Sequence, residues 1–242
     1  MPPAKAPRPI GLISAVPFES ADLHAALTSP RSPRNGFVSG KLDGVPCVLV
    51  SCGIGMTNAA HAATVMIESF APQSIVLFGI GGAYHGSGLG VGDVAVATEE
   101  VYADMGVLAP GGFMDMREMG FPVFNTGRKK FYNVIPTHKG MARRALLCSG
   151  PWGRMQAGRF LTVSAATGTL KRASELLGRY GRALCENMEG AAVAHVCELY
   201  RMPMAEVRGI SNMVEDRNLK KWDKVTAASR VQLAVRALLG GG

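Results

Sequence analysis

Short, nearly continuous apolar runs alternate along the chain with stretches in which apolar residues recur every three or four positions. "RPIGLISAV" (8–16), "QSIVLFG" (73–79), "VGDVAVATE" (91–99), "RFLTVSA" (159–165) and "PMAEVRGIS" (203–211) are of the first kind and read as buried strands. Helical spacing marks 55–70, a segment near 137–149, and 169–181, which Gly181 closes. It marks 189–200 and 223–239 as well; in the last, Val225, Ala228, Val231, Val235 and Leu238 form one stripe. "PFESADLHAALTS" (17–29) predicts a helix with Pro17 and Glu19 near its start, where both are tolerated. "FVSGKLDGVPCVLVSCG" (37–53) predicts a hairpin turned at Asp43-Gly44. The stretch 100–158 carries Pro110, Gly111-Gly112, Pro122 and Pro136 and reads as loops over a site or an interface.

This alternation predicts an α/β fold whose mixed or mostly parallel sheet is covered on both faces. We expect a single domain over 10–242, since neither an internal repeat nor a linker interrupts it. The Pro-rich, basic start, residues 1–9, reads as a mobile arm without the apolar stretch of a signal peptide.

Composition adjusts this picture in three ways. No apolar run reaches the length of a membrane span. Five scattered cysteines without a CxxC pair suit reduced thiols in a cytoplasm, and the histidines show no metal-ligand spacing, so no metal or other cofactor is expected. The net charge of +8 comes from short clusters spread along the chain without interleaved aromatics. That argues against nucleic acid and for a solvated surface, or a field that favours an acidic small molecule.

Two glycine-rich segments follow strands. "GIGMTN" (53–58) lacks the third glycine of a dinucleotide fingerprint, and "GIGGAYHG" (79–86) leads into another strand rather than a helix. Neither has the Gly-Lys-Ser/Thr of a phosphate loop. Both read as turns where backbone must come close to another element or to a ligand.

"IGLISAVPFES", "GIGMTNAAHAA", "GIGGA", "LGVGDV", "ENMEGAAVAHV" and "VRGISN" occur in this order over roughly 9–240. As an ordered set they resemble the nucleoside phosphorylase and nucleosidase superfamily. The resemblance implies a three-layer sandwich around a central mixed sheet, usually homo-oligomeric, that cleaves the N-glycosidic bond between ribose and a purine. Such cleavage passes through a ribose with oxocarbenium character.

On this resemblance Glu189 accepts hydrogen bonds from the ribose hydroxyls, with Met188 beneath the sugar. A carboxylate can accept from two vicinal hydroxyls and favours a cationic sugar, and a helix N-terminus would keep it ionised. Glu19 falls at the residue that activates water in the nucleosidase branch. Phosphorylases instead hold phosphate with arginine and serine, where this chain has Leu77 and Ile80, and an apolar lining cannot hold a dianion cheaply. Gly79, Ile80 and Gly81 would form the turn beside the sugar.

Asn212 stands where adenine-cleaving relatives carry aspartate. An amide can donate to O6 and accept from a protonated N7, so a 6-oxopurine is expected rather than adenine. Ser211 would orient that amide, and Arg208 would act on the sugar side. Thr167, Gly168 and Thr169 occupy the place beside the base. Gly168 stands where adenine-cleaving relatives have a stacking aromatic, so stacking should come from Phe160 or from an aromatic within 100–131. Within the superfamily these segments look most like the futalosine hydrolase subgroup, which takes hypoxanthine from a benzoate-bearing nucleoside of the menaquinone route. A phosphorylase for 6-oxopurine nucleosides and a methylthioadenosine/adenosylhomocysteine nucleosidase are the rival enzymes. Retention of both Glu19 and Glu189 speaks against a non-catalytic binding module.

Overall fold

The computed structural model describes residues 7–240. Of the arm expected over 1–9, residues 1–6 lie outside that range, while Arg8 donates to the carbonyls of Ala71 and Pro72. In chain order the elements are β1 (Ile10–Ser14), a 3-10 turn (Pro17–Glu19), α1 (Ala21–Ala26), β2 (Thr28–Arg34), β3 (Phe37–Leu42) and β4 (Val45–Ser51). Then come α2 (Met56–Phe70), β5 (Ser74–Ala83), β6 (Val94–Tyr102), β7 (Gly106–Ala109), β8 (Gly112–Asp115), β9 (Phe124–Thr126), β10 (Lys129–Phe131) and β11 (Val134–Pro136). The chain closes with α3 (Lys139–Leu147), β12 (Met155–Thr162), α4 (Leu170–Tyr180), β13 (Ala183–Asn187), α5 (Gly190–Tyr200), β14 (Met204–Met213), a 3-10 turn (Leu219–Lys221) and α6 (Lys224–Gly240).

A mixed ten-stranded sheet forms the middle layer, in the order β11-β6-β12-β13-β5-β1-β4-β3-β2, with β14 paired to both β5 and β6. The alternating residues of its strands explain the three layers. Leu12, Leu49, Val76 and Phe78 point to one side and pack with Val231, Val235 and Leu238 of α6. Ile13, Val48, Val50, Ile75 and Leu77 point to the other and meet Ala59, Ala63 and Met66 of α2 and Ala191, Val193 and Ala194 of α5. Each large side chain so buried contributes roughly 1.5–3 kcal/mol relative to exposure. Because β14 bridges β5 and β6, the strands β5, β14, β6, β12 and β13 close into a ring.

The sheet differs from the sequence expectation in definite places. The helix expected over 17–29 is a 3-10 turn and a short α1, after which Thr28–Arg34 forms β2. That strand lies at the sheet edge, where Pro30, Pro33, Arg31 and Arg34 leave no apolar face to read. β13 was absent from the expected strands. Its five residues are all buried, so no apolar alternation marks it, and its polar end, Glu186 and Asn187, resembles the lead-in to a helix. Within 100–158 the loops contain the hairpins β7–β8 and β9–β10 and the strand β11. The hairpin at Asp43-Gly44 is present, with both residues at positive φ, as a two-residue turn requires.

β13 pairs with β5 over a short ladder, Cys185–Ala83 and Glu186–Gly82. Beyond that contact the strands part, and the segments following β1, β4, β12 and β13 converge with the ends of β5 and β14 around a cleft.

Candidate active site

The cleft has a volume of about 330 Å³, which is in the range of small-molecule sites. Ala15, Val16, Phe18 and Glu19 come from the β1 side, and Ile80, Gly81 and Gly82 from the end of β5. The β13–α5 junction contributes Glu186 through Glu189, and β14 contributes Arg208, Ser211 and Asn212. Thr167, Arg217, Trp222 and Lys224 complete one wall. Glu19, Ile80, Gly81, Thr167, Met188, Glu189, Arg208, Ser211 and Asn212, all singled out from the sequence, thus meet in one cavity.

Glu19 is only 2% exposed. Its Oε2 accepts from the N–H groups of Ala15 and Val16 at 3.0 and 3.1 Å, and its Oε1 from Ile80 N at 2.8 Å. Burial pushes this carboxyl above its usual range, and the pull of Arg208 and of the backbone N–H groups does not cancel that. Gly79 is needed for close approach rather than for a turn. It sits within β5, where a Cβ would fall 2.6 Å from Glu19 Oε1 and 3.0 Å from Arg208 Nη1. The glycines of 79–82 are therefore strand residues, correcting the turn read from the sequence. At 53–55 a turn does form, with Gly53 and Gly55 at positive φ.

The amide of that turn holds Glu189. Gly55 N donates to Glu189 Oε1 at 2.9 Å, and Arg208 Nη2 donates to Oε2 at 3.2 Å. Glu189 occupies the N-cap position of α5, but its side chain does not cap the helix. Asn187 Oδ1 performs that task, accepting from Glu189 N at 2.9 Å and Gly190 N at 2.7 Å. The glutamate carboxylate is left free to face the cavity.

Arg208 lies between the two carboxylates, 1% exposed. It donates to Glu206 Oε1 (2.8 Å), Glu189 Oε2 (3.2 Å) and the carbonyl of Ile80 (3.2 Å). Burial alone would lower its pKa, but Glu206, Glu189 and Glu19 more than offset this and keep the guanidinium charged.

At the other end Ser211 Oγ donates to Asn212 Oδ1 at 2.8 Å, and Asn212 Nδ2 donates to Met213 O at 2.9 Å. One Nδ2 hydrogen and one Oδ1 lone pair stay uncommitted, a donor and an acceptor on one side chain. Thr167 is held by Glu186, which accepts from its N–H at 2.8 Å and its hydroxyl at 2.6 Å; Glu186 also accepts from Tyr84 Oη at 2.7 Å. With its hydrogen spent on Glu186, the Thr167 hydroxyl can only accept from a ligand.

Gly168 and Thr169 do not line the cavity. Thr169 instead caps α4, its hydroxyl accepting from Arg172 N at 3.2 Å. Phe160 is fully buried among Ala97, Leu184, Cys185 and Ile210, and no aromatic of 100–131 lines the cleft. The rings that do are Phe18 and Trp222, with the Arg217 guanidinium 5.1 Å from the Trp222 ring centre. The sequence carried a signal for both rings: Phe18 precedes Glu19 directly, and Trp222 stands alone in the polar run "LKKWDK".

The phosphorylase superfamily model matches residues 9–240, and the chain belongs to this family. It is 34% identical over 201 residues to a futalosine hydrolase of Thermus thermophilus, covering 82% of this chain and 83% of that protein. A 5′-methylthioadenosine/S-adenosylhomocysteine nucleosidase of Maridesulfovibrio salexigens is 27% identical, with 86% and 87% covered. Among solved structures, a methylthioadenosine/adenosylhomocysteine nucleosidase from Colwellia psychrerythraea in complex with adenine superimposes with a TM-score of 0.82. It shares 24% identity, with 97% of this chain and 96% of that one covered, and has the same three-layer fold.

Proposed function

We propose that this chain is an N-glycosyl hydrolase that cleaves a 6-oxopurine nucleoside, with futalosine as substrate and hypoxanthine as the leaving base. The observation that carries the reading is the convergence of Glu19, Glu189 and Asn212 on one cleft, with charged Arg208 between the carboxylates.

Glu189 accepts from the ribose hydroxyls, and its charge favours the positive sugar. Glu19 takes a proton from water as the oxygen bonds to C1′ and the C1′–N9 electron pair leaves with the base. Its raised pKa makes it a stronger base than an exposed glutamate. As it leaves, the base takes a proton on N7 from solvent, and Glu19 later returns the water proton to solvent; Asn212 Oδ1 accepts from the N7–H while Nδ2 donates to O6. Thr167 suits a 6-oxopurine for a related reason: N1 of hypoxanthine bears a hydrogen, whereas N1 of adenine is an acceptor. Trp222 and Phe18 offer flat apolar surfaces to the base and the sugar. A phosphate dianion at Ile80 would meet the Glu19 carboxylate, which already holds the Ile80 N–H, so water is the nucleophile we favour over phosphate.

Arg217 and Lys224, which face the cleft, supply positive charge for an acidic side arm. A cytoplasmic homo-oligomer is the expected setting; the five cysteines are free, and among the described residues no helix is long and apolar enough to cross a membrane.

The second reading is a methylthioadenosine/adenosylhomocysteine nucleosidase, favoured by the similarity to proteins of that name. The deciding experiment follows base release from futalosine, inosine and methylthioadenosine, with and without phosphate. Phosphate-independent hypoxanthine release from futalosine, faster than adenine release from methylthioadenosine, is expected. Strict dependence on phosphate, or adenine as the preferred product, rejects this reading.

A further inference from the structure

Behind Arg208, away from the cleft, two more glutamates lie in the protein interior. Glu100 on β6 and Glu206 on β14 are both fully buried. They meet on the bare flank of Gly190, the first residue of α5, where a Cβ would collide with Glu100 Oε1 and Glu206 Oε2. Glu206 Oε1 accepts from Arg208 Nε at 2.8 Å. Glu206 Oε2 is buried without a hydrogen-bond partner among the described residues. Glu100 is well served: Thr162 Oγ1 donates to Oε2 at 2.6 Å and Asn187 Nδ2 to Oε1 at 3.0 Å.

We propose that Glu100 and Glu206 hold one proton between them, so that together they present a single negative charge to Arg208, and that Glu206 is thereby a positioning residue for Glu189 and Glu19. Two bare carboxylates against one another in a dry interior would repel strongly, and an acceptor without a donor is costly there. A shared proton removes both penalties and supplies the donor that Glu206 Oε2 lacks. Burial first, and the Glu206 charge second, push the Glu100 carboxyl well above its ordinary range, in agreement with this geometry. The ionised member is Glu206, because it alone touches the guanidinium. With Nε fixed there, the two amino groups of Arg208 are aimed at Glu189 and at the Ile80 carbonyl, next to Glu19. The other ionisable groups around the pair are Tyr102 on β6, which feels Glu100, and Cys185 on β13, which feels both glutamates and Glu186; Glu189 and Glu19 act on Arg208 from its far side, and His195 of α5 contacts Tyr102.

The rate part of the test rests on the hydrolytic reading above; a second readout does not. Glu100→Gln and Glu206→Gln are compared with the unaltered chain for hypoxanthine release from futalosine across about pH 5–9 and for thermal unfolding without substrate. Glu100→Gln, which keeps one negative charge, should hold kcat within about threefold and leave the acid limb in place. Glu206→Gln should lower kcat by about tenfold or more and move the acid limb of kcat/KM to lower pH, because Arg208, relieved of its counter-charge, pulls harder on Glu19. A purely structural lesion would lower stability without moving that limb. In unfolding, Glu100→Gln should gain on the unaltered chain as pH rises above about 5, since a carboxyl whose pKa is raised in the fold costs stability over that range. Equal loss of rate in both variants, or loss in neither, overturns the positioning role. Parallel melting of Glu100→Gln and the unaltered chain at every pH overturns the shared proton. If the unaltered chain releases no hypoxanthine, the functional reading fails, and melting still decides the proton; it also decides if Glu206→Gln does not fold.

Discussion

Glu19 combines two features that usually oppose one another: three backbone donors that suit a carboxylate, and burial that penalises its charge. Burial prevails, so the group must lose a proton at a pH above the normal glutamate range before it can serve as a base. The rate should therefore fall as pH drops through that raised value, giving an acid limb above about pH 4.5 in kcat/KM. Glu19→Gln should lower kcat by roughly 100-fold or more and abolish the limb, which stopped-time product analysis across pH would register. Asn212 permits a sharper experiment on selectivity. On the proposed reading Asn212→Asp replaces the donor to O6 by a carboxylate, and we expect the ratio of kcat/KM for futalosine over methylthioadenosine to drop by about 100-fold or more, read from competing substrates in one tube. An unchanged ratio would remove Asn212 from base recognition.

At the scale of elements, the junction between β13 and α5 concentrates the constraints. Asn187 caps α5, Glu189 turns its carboxylate to the cleft, and Gly190 clears room for Glu100 and Glu206. An alanine is ordinarily welcome in a helix, yet here its methyl group would meet carboxylate oxygens that have nowhere to retreat. Gly190→Ala should cost about 1–3 kcal/mol of stability by overpacking, visible as a fall of several degrees in Tm. A variant that melts no lower would mean that this flank is looser than described. The same junction marks the reach of sequence reading. Glu189 was legible because "NMEGAA" is an ordered motif at the start of a small-residue helix. The task of Asn187 was not, since a polar residue at the end of a wholly buried strand gives no periodic signal. Glu100 and Glu206 were also illegible: Glu100 falls just past the expected strand, in a stretch that reads as loops, and Glu206 looks like an ordinary strand glutamate until the sheet order brings β6 beside β14. The strands β2 and β13 were missed for opposite reasons, one being exposed throughout and the other buried throughout.

For the whole molecule, the layers followed from the alternation of apolar runs, and the site's principal residues followed from ordered motifs at strand ends. The wall made by Arg217, Trp222 and Lys224 did not, because it depends on how the segment after β14 folds back over the cleft. The charge of +8 acts at this scale too. An anionic nucleoside should be drawn in more strongly than a neutral one, and salt should weaken that advantage. Between about 0.02 and 0.5 M salt, kcat/KM for futalosine should drop severalfold while that for inosine changes by less than about twofold. Identical salt responses would assign the charge to solubility alone.

The ring of strands also bears on how the protein is made. Residues 204–213 insert between two strands encoded more than a hundred positions earlier, so during synthesis both neighbours wait with unpaired edges until those residues have left the ribosome. The hazard of premature clumping falls in that interval, and the chemistry of the cleft cannot begin until the last strand closes it.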